Sequence, residues 1–172
     1  LLENGPLPRP LLDIGCGDGH FAQVFLGEVE VGIDLDLPVL RQAARRDACR
    51  GLGAASAAAM PFRDGSFRSV LANCALEHMS DLEGVLREVR RVLRPGGTFV
   101  FTVPNDVHNR NLVLGRLLER VGLRRAAGAY RDWFRRMQRH YHMYAPGEWA
   151  RRVEAHGFRV VLRRDYLSPR AT

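Results

Sequence analysis

Residues 11–22, LLDIGCGDGHFA, place three glycines on alternate positions, Gly15, Gly17 and Gly19, with Asp13 just before them and Asp18 among them. Glycines after a short apolar run let the backbone turn sharply and let a ligand approach the main chain. A dinucleotide loop has the spacing G-x-G-x-x-G and seats a pyrophosphate at a helix N-terminus. Here the third glycine comes one residue early, and the two carboxylates would repel a phosphate. A ligand without phosphate and with positive charge fits better, and S-adenosylmethionine, with its sulfonium and ammonium, is such a molecule. Asp34 lies 19 residues after Gly15, where an acid at a strand end accepts hydrogen bonds from ribose hydroxyls. That position suits NAD and S-adenosylmethionine alike. Glycine spacing and loop acids disfavour a nicotinamide oxidoreductase.

Methyl transfer from a sulfonium is a displacement that requires alignment of the acceptor and, for a hydroxyl, removal of its proton. Histidine is the usual base near neutral pH. His142 and His78 are the candidates, with His140 behind them, while His20 reads as a packing residue. Glu77 is either a base, a substrate ligand or, by default, a surface residue at a helix end. Tyr130, Trp133, Phe134, Met137 and Tyr141 recur at helical spacing between arginines. By default they read as a core stripe, and the functional reading is a lid whose apolar face covers the acceptor.

These residues need a scaffold, and residues 1–103 alternate strand and helix patterns. PLLDI (10–14) is a continuous apolar run stopped by glycine, the pattern of a buried parallel strand. A helix over HFAQVFL should follow, with Phe21, Val24 and Phe25 on one face. VEVGIDL (29–35) reads as the second strand, Pro38 opens a helix, and GAASA (53–57) is a weak third strand. SFRSVLANC (66–74) is the fourth. Ser80 and Glu83 form a capping box for a helix to about Leu93, and TFVFTVP (98–104) is the fifth strand. Helices are expected over 109–121 and 129–142, separated by GLRRAAGA, and from Pro146 to before Gly157. FRVVLRRDYL (158–167) reads as a sixth strand. The expected fold is α/β, a doubly wound, mostly parallel sheet with a helical insertion before the last strand. One domain is expected over 1–172, with a cofactor half (1–103), a helical lid (104–157) and a final strand and tail (158–172).

DIGCGDG, VGIDLD, AMPFRDGSF and LREVRRVLRPGGTFVFTVP together resemble the successive motifs of the class I, Rossmann-like S-adenosylmethionine-dependent methyltransferases, in particular the group acting on small molecules and lipids. The resemblance is dense from about residue 10 to 104. It implies that the loop of Asp13, Gly15, Cys16 and Gly17 holds the methionine part, that Asp34 holds the ribose, and that Leu35 lies against adenine. Ser56, Ala57 and Met60 would line the adenine pocket, and Asn73 would lie beside the methionyl end. The family usually has an acid near position 56, where this chain has Ser56, and an Asp where it has Arg68. The implied product is S-adenosyl-L-homocysteine, and no metal is implied.

The chain has a net charge of +7 with 26 basic residues, all arginine. Residues 1–103 hold 11 arginines against 13 acids, and residues 104–172 hold 15 against 6. The excess therefore lies in the C-terminal part, and would attract an acidic substrate or an anionic membrane surface. Nucleic acid is disfavoured, because Asn73–Leu76 does not resemble the motifs of base methylation. Three cysteines without metal-ligand spacing, no signal peptide and no membrane-length apolar run point to the cytoplasm. The expected activity is methyl transfer to a small-molecule or lipid-like acceptor, oxygen favoured. The competing expectation is a degenerate methyltransferase fold serving as a non-catalytic scaffold.

Overall fold

The computed structural model describes residues 5–104, 113–137 and 141–164. Five parallel strands form one sheet in the order β3-β2-β1-β4-β5: β1 Leu11–Ile14, β2 Val29–Asp34, β3 Cys49–Ala54, β4 Phe67–Asn73 and β5 Leu93–Thr102. The chain runs outward from β1 to β3, returns, and runs the other way through β4 and β5. Strand order reverses between β1 and β4, and open α/β sheets bind ligands beyond the carboxyl ends at such a point. β1 is buried along its whole length, Asp13 included, as the central strand of a parallel sheet.

Helix α1 (Leu37–Arg45) starts with Asp36 accepting from Val39 N and with Pro38 in its first turn. Helix α2 (Leu82–Val92) buries Leu82, Val85, Leu86 and Val89 in the main core with Ile14, Ile33 and Val70. Its cap is Asp81, whose carboxylate accepts from Gly84 N at 2.8 Å, rather than the expected Ser80. Three more helices follow the sheet: α3 Val113–Arg120, α4 Arg124–Met137 and α5 Pro146–Ala155.

Several expected elements differ. The helix over HFAQVFL forms across 20–26, but its last five residues, Ala22–Leu26, are π-type, and Val24 and Phe25 are about half exposed. Gly27, at φ +68°, ends it. β3 starts at Cys49 and ends at Ala54, two residues into GAASA, because Ser56 starts a turn, its Oγ accepting from Ala58 N. β5 begins at Leu93, which pairs with Phe67 across a bulge before regular pairing resumes at Thr98. Arg124–Gly128, read as a separator, begins α4, since Ala and Arg favour helix and Ala127 is fully buried.

The expected sixth strand does not form among the described residues. Residues 158–164 have no sheet pairing, and Val161 and Leu162 are exposed. Apolar β-branched residues make a strand only where a sheet edge receives their backbone. The helical segment therefore follows the last described strand instead of interrupting the sheet.

Candidate functional site

The loop after β1 is held by its own backbone. Gly15 N and Cys16 N both donate to Ile33 O, at 2.8 and 3.1 Å, which folds the loop over the end of β2. Gly17 N donates to Asp34 Oδ2 at 3.0 Å, and Asp36 N donates to Asp34 Oδ1 at 3.0 Å. Each Asp34 oxygen keeps a lone pair for another donor. Gly15 (φ +69°) sits so close to the segment after β4 that a Cβ there would stand 2.6 Å from Ala75 Cβ and 3.5 Å from Met79 Cε. Gly17 (φ +57°) faces open space, with nothing within 4 Å of a Cβ. Leu35, at the end of β2, is 76% exposed.

The two loop acids have opposite surroundings. Asp18 is half-exposed at the helix start, where its carboxylate accepts from His20 N and pairs with Arg46 at 2.8 Å. Those contacts hold its pKa below the usual range, the His20 N–H first among them. Asp13 is 2% exposed, and its Oδ1 has no hydrogen-bond partner. Burial, followed by the nearby Asp34 charge, raises its pKa to about 7. Burial also pushes the Cys16 thiol far up, and raises Cys49 to about 11.

On the far side of Asp34, Ala57 and Met60 are buried and join the core, while Ser56 is spent on its turn. Met60 N donates to Glu88 Oε2 at 2.7 Å. Arg91 binds Glu88, Asp64, Phe62 O and Met60 O, so one side chain on α2 fixes the whole 60–64 loop. Composition alone did not single out this pair. The signal was AMPFRDGSF, with an acid and an arginine on α2 one turn apart. Asn73 closes β4, its Oδ1 accepting from Thr102 Oγ1 at 2.7 Å.

The segment after β4 and the segment before α5 meet. Tyr141 N and His142 N both donate to Glu77 O. His142 Nε2 lies 2.9 Å from Met79 O, and Nδ1 lies 2.9 Å from Tyr144 Oη. A carbonyl only accepts, so Nε2 carries the hydrogen and a neutral ring turns its lone pair toward the Tyr144 hydroxyl. Tyr144 packs against Trp149, and the Arg152 guanidinium stands 4.2 Å over its ring. His78 lies exposed at the end of the Leu76–His78 turn. Glu77 is 2% exposed with Oε2 unpartnered, and burial raises its pKa, so the default surface role is excluded. His140 lies outside the described residues. The aromatic stripe packs largely on itself: Tyr130 stacks on Trp133 at 6.0 Å and meets Phe134 at 6.3 Å, while Trp133 stays half exposed.

A family described as a methyltransferase domain matches residues 12–101, the strands and loops just described. The chain belongs to this methyltransferase family. Among curated relatives, malonyl-[acyl-carrier protein] O-methyltransferase of Pseudescherichia vulneris is 37% identical over 97 residues, 55% of this chain and 39% of its own length. Demethylmenaquinone methyltransferase of Thermus thermophilus is 37% identical over 101 residues, 54% of this chain and 46% of its own length. A SAM-dependent methyltransferase of Thermotoga maritima, described as a possible histamine N-methyltransferase, superposes with a TM-score of 0.65. That match has 20% identity and covers 90% of this chain and 66% of the other. The methyltransferase spans about two fifths to half of the curated relatives named here.

The cofactor of this methyltransferase is S-adenosylmethionine, and its groove fits that molecule on three observations. The orphaned Asp13 carboxyl offers negative charge to a cationic ligand, the Gly17 backbone faces open space, and the bare Leu35 side chain offers an apolar surface. No phosphate is asked to sit near Asp13 and Asp34. No helix among the described residues is long and apolar enough to cross a membrane.

Proposed function

We propose that this methyltransferase methylates an oxygen of a small-molecule or lipid-like acceptor, with His142 as general base acting through Tyr144. The observation that carries the reading is the His142–Tyr144 pair, fixed on Met79 O beside the Gly15 loop. The relatives named for O-methylation of malonyl-[acyl-carrier protein] support oxygen as the atom methylated. The cofactor supplies an electrophilic methyl group on a sulfonium. Asp13, Gly15, Cys16 and Gly17 hold its methionine part, Asp34 its ribose and Leu35 its adenine. Ser56, Ala57 and Met60 form the adenine wall, and Asn73 lies at the methionyl end.

The acceptor hydroxyl would give its proton to Tyr144 Oη, which stands ready to pass one on. The Tyr144 proton passes to His142 Nδ1, and Met79 O holds the imidazolium that results. His78, exposed and one residue from Met79, is the alternative base. Residues 104–157 supply the acceptor side of one domain, and their excess of arginine supports peripheral contact with an anionic membrane surface. All three cysteines are free thiols, as suits the cytoplasm.

The test is turnover of methyl-labelled cofactor with phenol, alcohol and carboxylate acceptors. With a hydroxyl acceptor, His142→Gln and Tyr144→Phe should each lower kcat by about a hundredfold or more, with S-adenosylhomocysteine affinity unchanged. Unchanged kcat in both variants overturns the base assignment. Turnover on amine acceptors alone overturns oxygen.

A further inference from the structure

Helices α3 and α4 form an antiparallel hairpin closed by the Arg131–Glu119 ion pair at 2.7 Å, with Ala127 fully buried. Gly115 lies against α4, since a Cβ there would meet the Arg131 guanidinium at 3.1 Å. This fixes which face of α3 points outward. On that face stand Leu114 (46% exposed), Leu117 (54%) and Val121 (62%), at i, i+3 and i+7, with Leu123 (54%) beyond them. Four aliphatic side chains in a row half out of the fold are not scattered surface residues. Arg116, Arg120, Arg124 and Arg125 are exposed on the same short stretch, and its one acid, Glu119, is already paired.

We propose that this α3 face docks the protein on the surface of an anionic lipid bilayer. The inference rests on the lipid-like acceptor reading and gives the peripheral contact named there its place. An apolar stripe with arginines around it is the pattern of a helix lying in a headgroup interface, where long side chains reach anionic phosphates while the aliphatic ones enter the acyl boundary. The stripe is purely aliphatic. It lacks the aromatic anchors around which protein interfaces concentrate their energy. A second copy of the chain would bring four arginines against four, a like-charge arrangement that opposes self-association.

The experiment is flotation of the full chain with phosphatidylcholine vesicles, with and without phosphatidylglycerol. Two variants are compared, Leu114→Ser/Leu117→Ser/Val121→Ser and Arg116→Gln/Arg120→Gln/Arg124→Gln. The wild type should float with anionic vesicles only, and less so at raised salt. The arginine variant should lose about a hundredfold in partitioning, at about 1 kcal/mol per arginine. The aliphatic variant should lose roughly tenfold or more. Circular dichroism and S-adenosylhomocysteine titration must match wild type in both variants, which separates lost docking from lost folding. Equal flotation with neutral vesicles, or flotation that survives both variants, overturns the proposal. So does a wild-type dimer that the serine variant dissolves, which assigns the face to a second copy. Absence of cofactor binding in the wild type, by contrast, strikes the methyltransferase reading itself.

Discussion

Asp13 offers the sharpest test of the cofactor groove. Its carboxyl is buried, half of it unpartnered, and its pKa is raised from 3.8 to about 7. Because the folded state holds this proton more tightly than the unfolded chain, the associated stability is complete below about pH 4 and is lost as pH rises to about 7. At about 1.4 kcal/mol per pH unit, the loss approaches ~4 kcal/mol. Asp13→Asn keeps the shape and removes the titration. In urea unfolding of the cofactor-free protein, the variant should gain on wild type from pH 5 to pH 8, toward that ceiling. Other carboxylates titrate in both proteins and cancel in the difference. Binding should show the reverse dependence, because a cationic ligand favours the ionised carboxylate. Wild-type affinity for S-adenosylhomocysteine, whose ammonium remains, should rise with pH through about 7, while the variant binds weakly and without that dependence. A difference in unfolding free energy that does not change with pH, together with a flat wild-type binding curve, would refute the argument.

Two glycines in one loop should respond differently. Gly17→Ala costs roughly 1–2 kcal/mol for its left-handed backbone, stays folded because space is open, and weakens cofactor binding. Gly19→Ala adds a Cβ 2.5 Å from Ala48 Cβ and 3.1 Å from Ala43 Cβ, so thermal melting should show the larger loss of stability. Arg91→Ala releases the 60–64 loop and leaves Glu88 without its main partner, an expected loss of about 2 kcal/mol in urea unfolding. Arg91 holds the Glu88 pKa down, so that deficit should be full at neutral pH and shrink as acid protonates Glu88.

The cofactor side was legible because its determinants are local. A strand, a turn of glycines and a strand-end acid span residues 11–34, and each residue type follows from its own backbone or ligand requirement. The acceptor side was less legible because it is assembled over long separations. His142 is fixed by Met79, 63 residues away, and no spacing rule joins the two. No spacing signal marks Tyr144 as the partner of His142, and of the three readings open for Glu77 the default surface one fails because its carboxyl is enclosed. Apolar pattern overstated burial in two segments for a shared reason. Val24 and Phe25 in the first turn, and Val161 and Leu162 after α5, carry the right residue types without a neighbour to bury them. The aliphatic stripe of α3 escaped because Leu114 and Leu117 look like core until Gly115 shows which face meets α4.

The two acids of the glycine loop show how a local motif divides its work. Asp18 is half-exposed, ion-paired and hydrogen-bonded to the first helical turn, so it steadies the loop and its charge is already satisfied. Asp13 is buried near the Asp34 charge with an oxygen left bare, and this makes the cofactor-free fold less stable at neutral pH. Nothing in the packing of β1 requires that cost, since Asn or Ser would fill the site without a charge to desolvate. On the proposed reading, a cationic ligand over the loop would offset it by stabilising the ionised carboxylate. A phosphate ligand would raise the cost instead. Burial and charge at Asp13 therefore select the cofactor class more strongly than the glycines do, because glycines permit close approach to any ligand and the buried acid favours only a positive one.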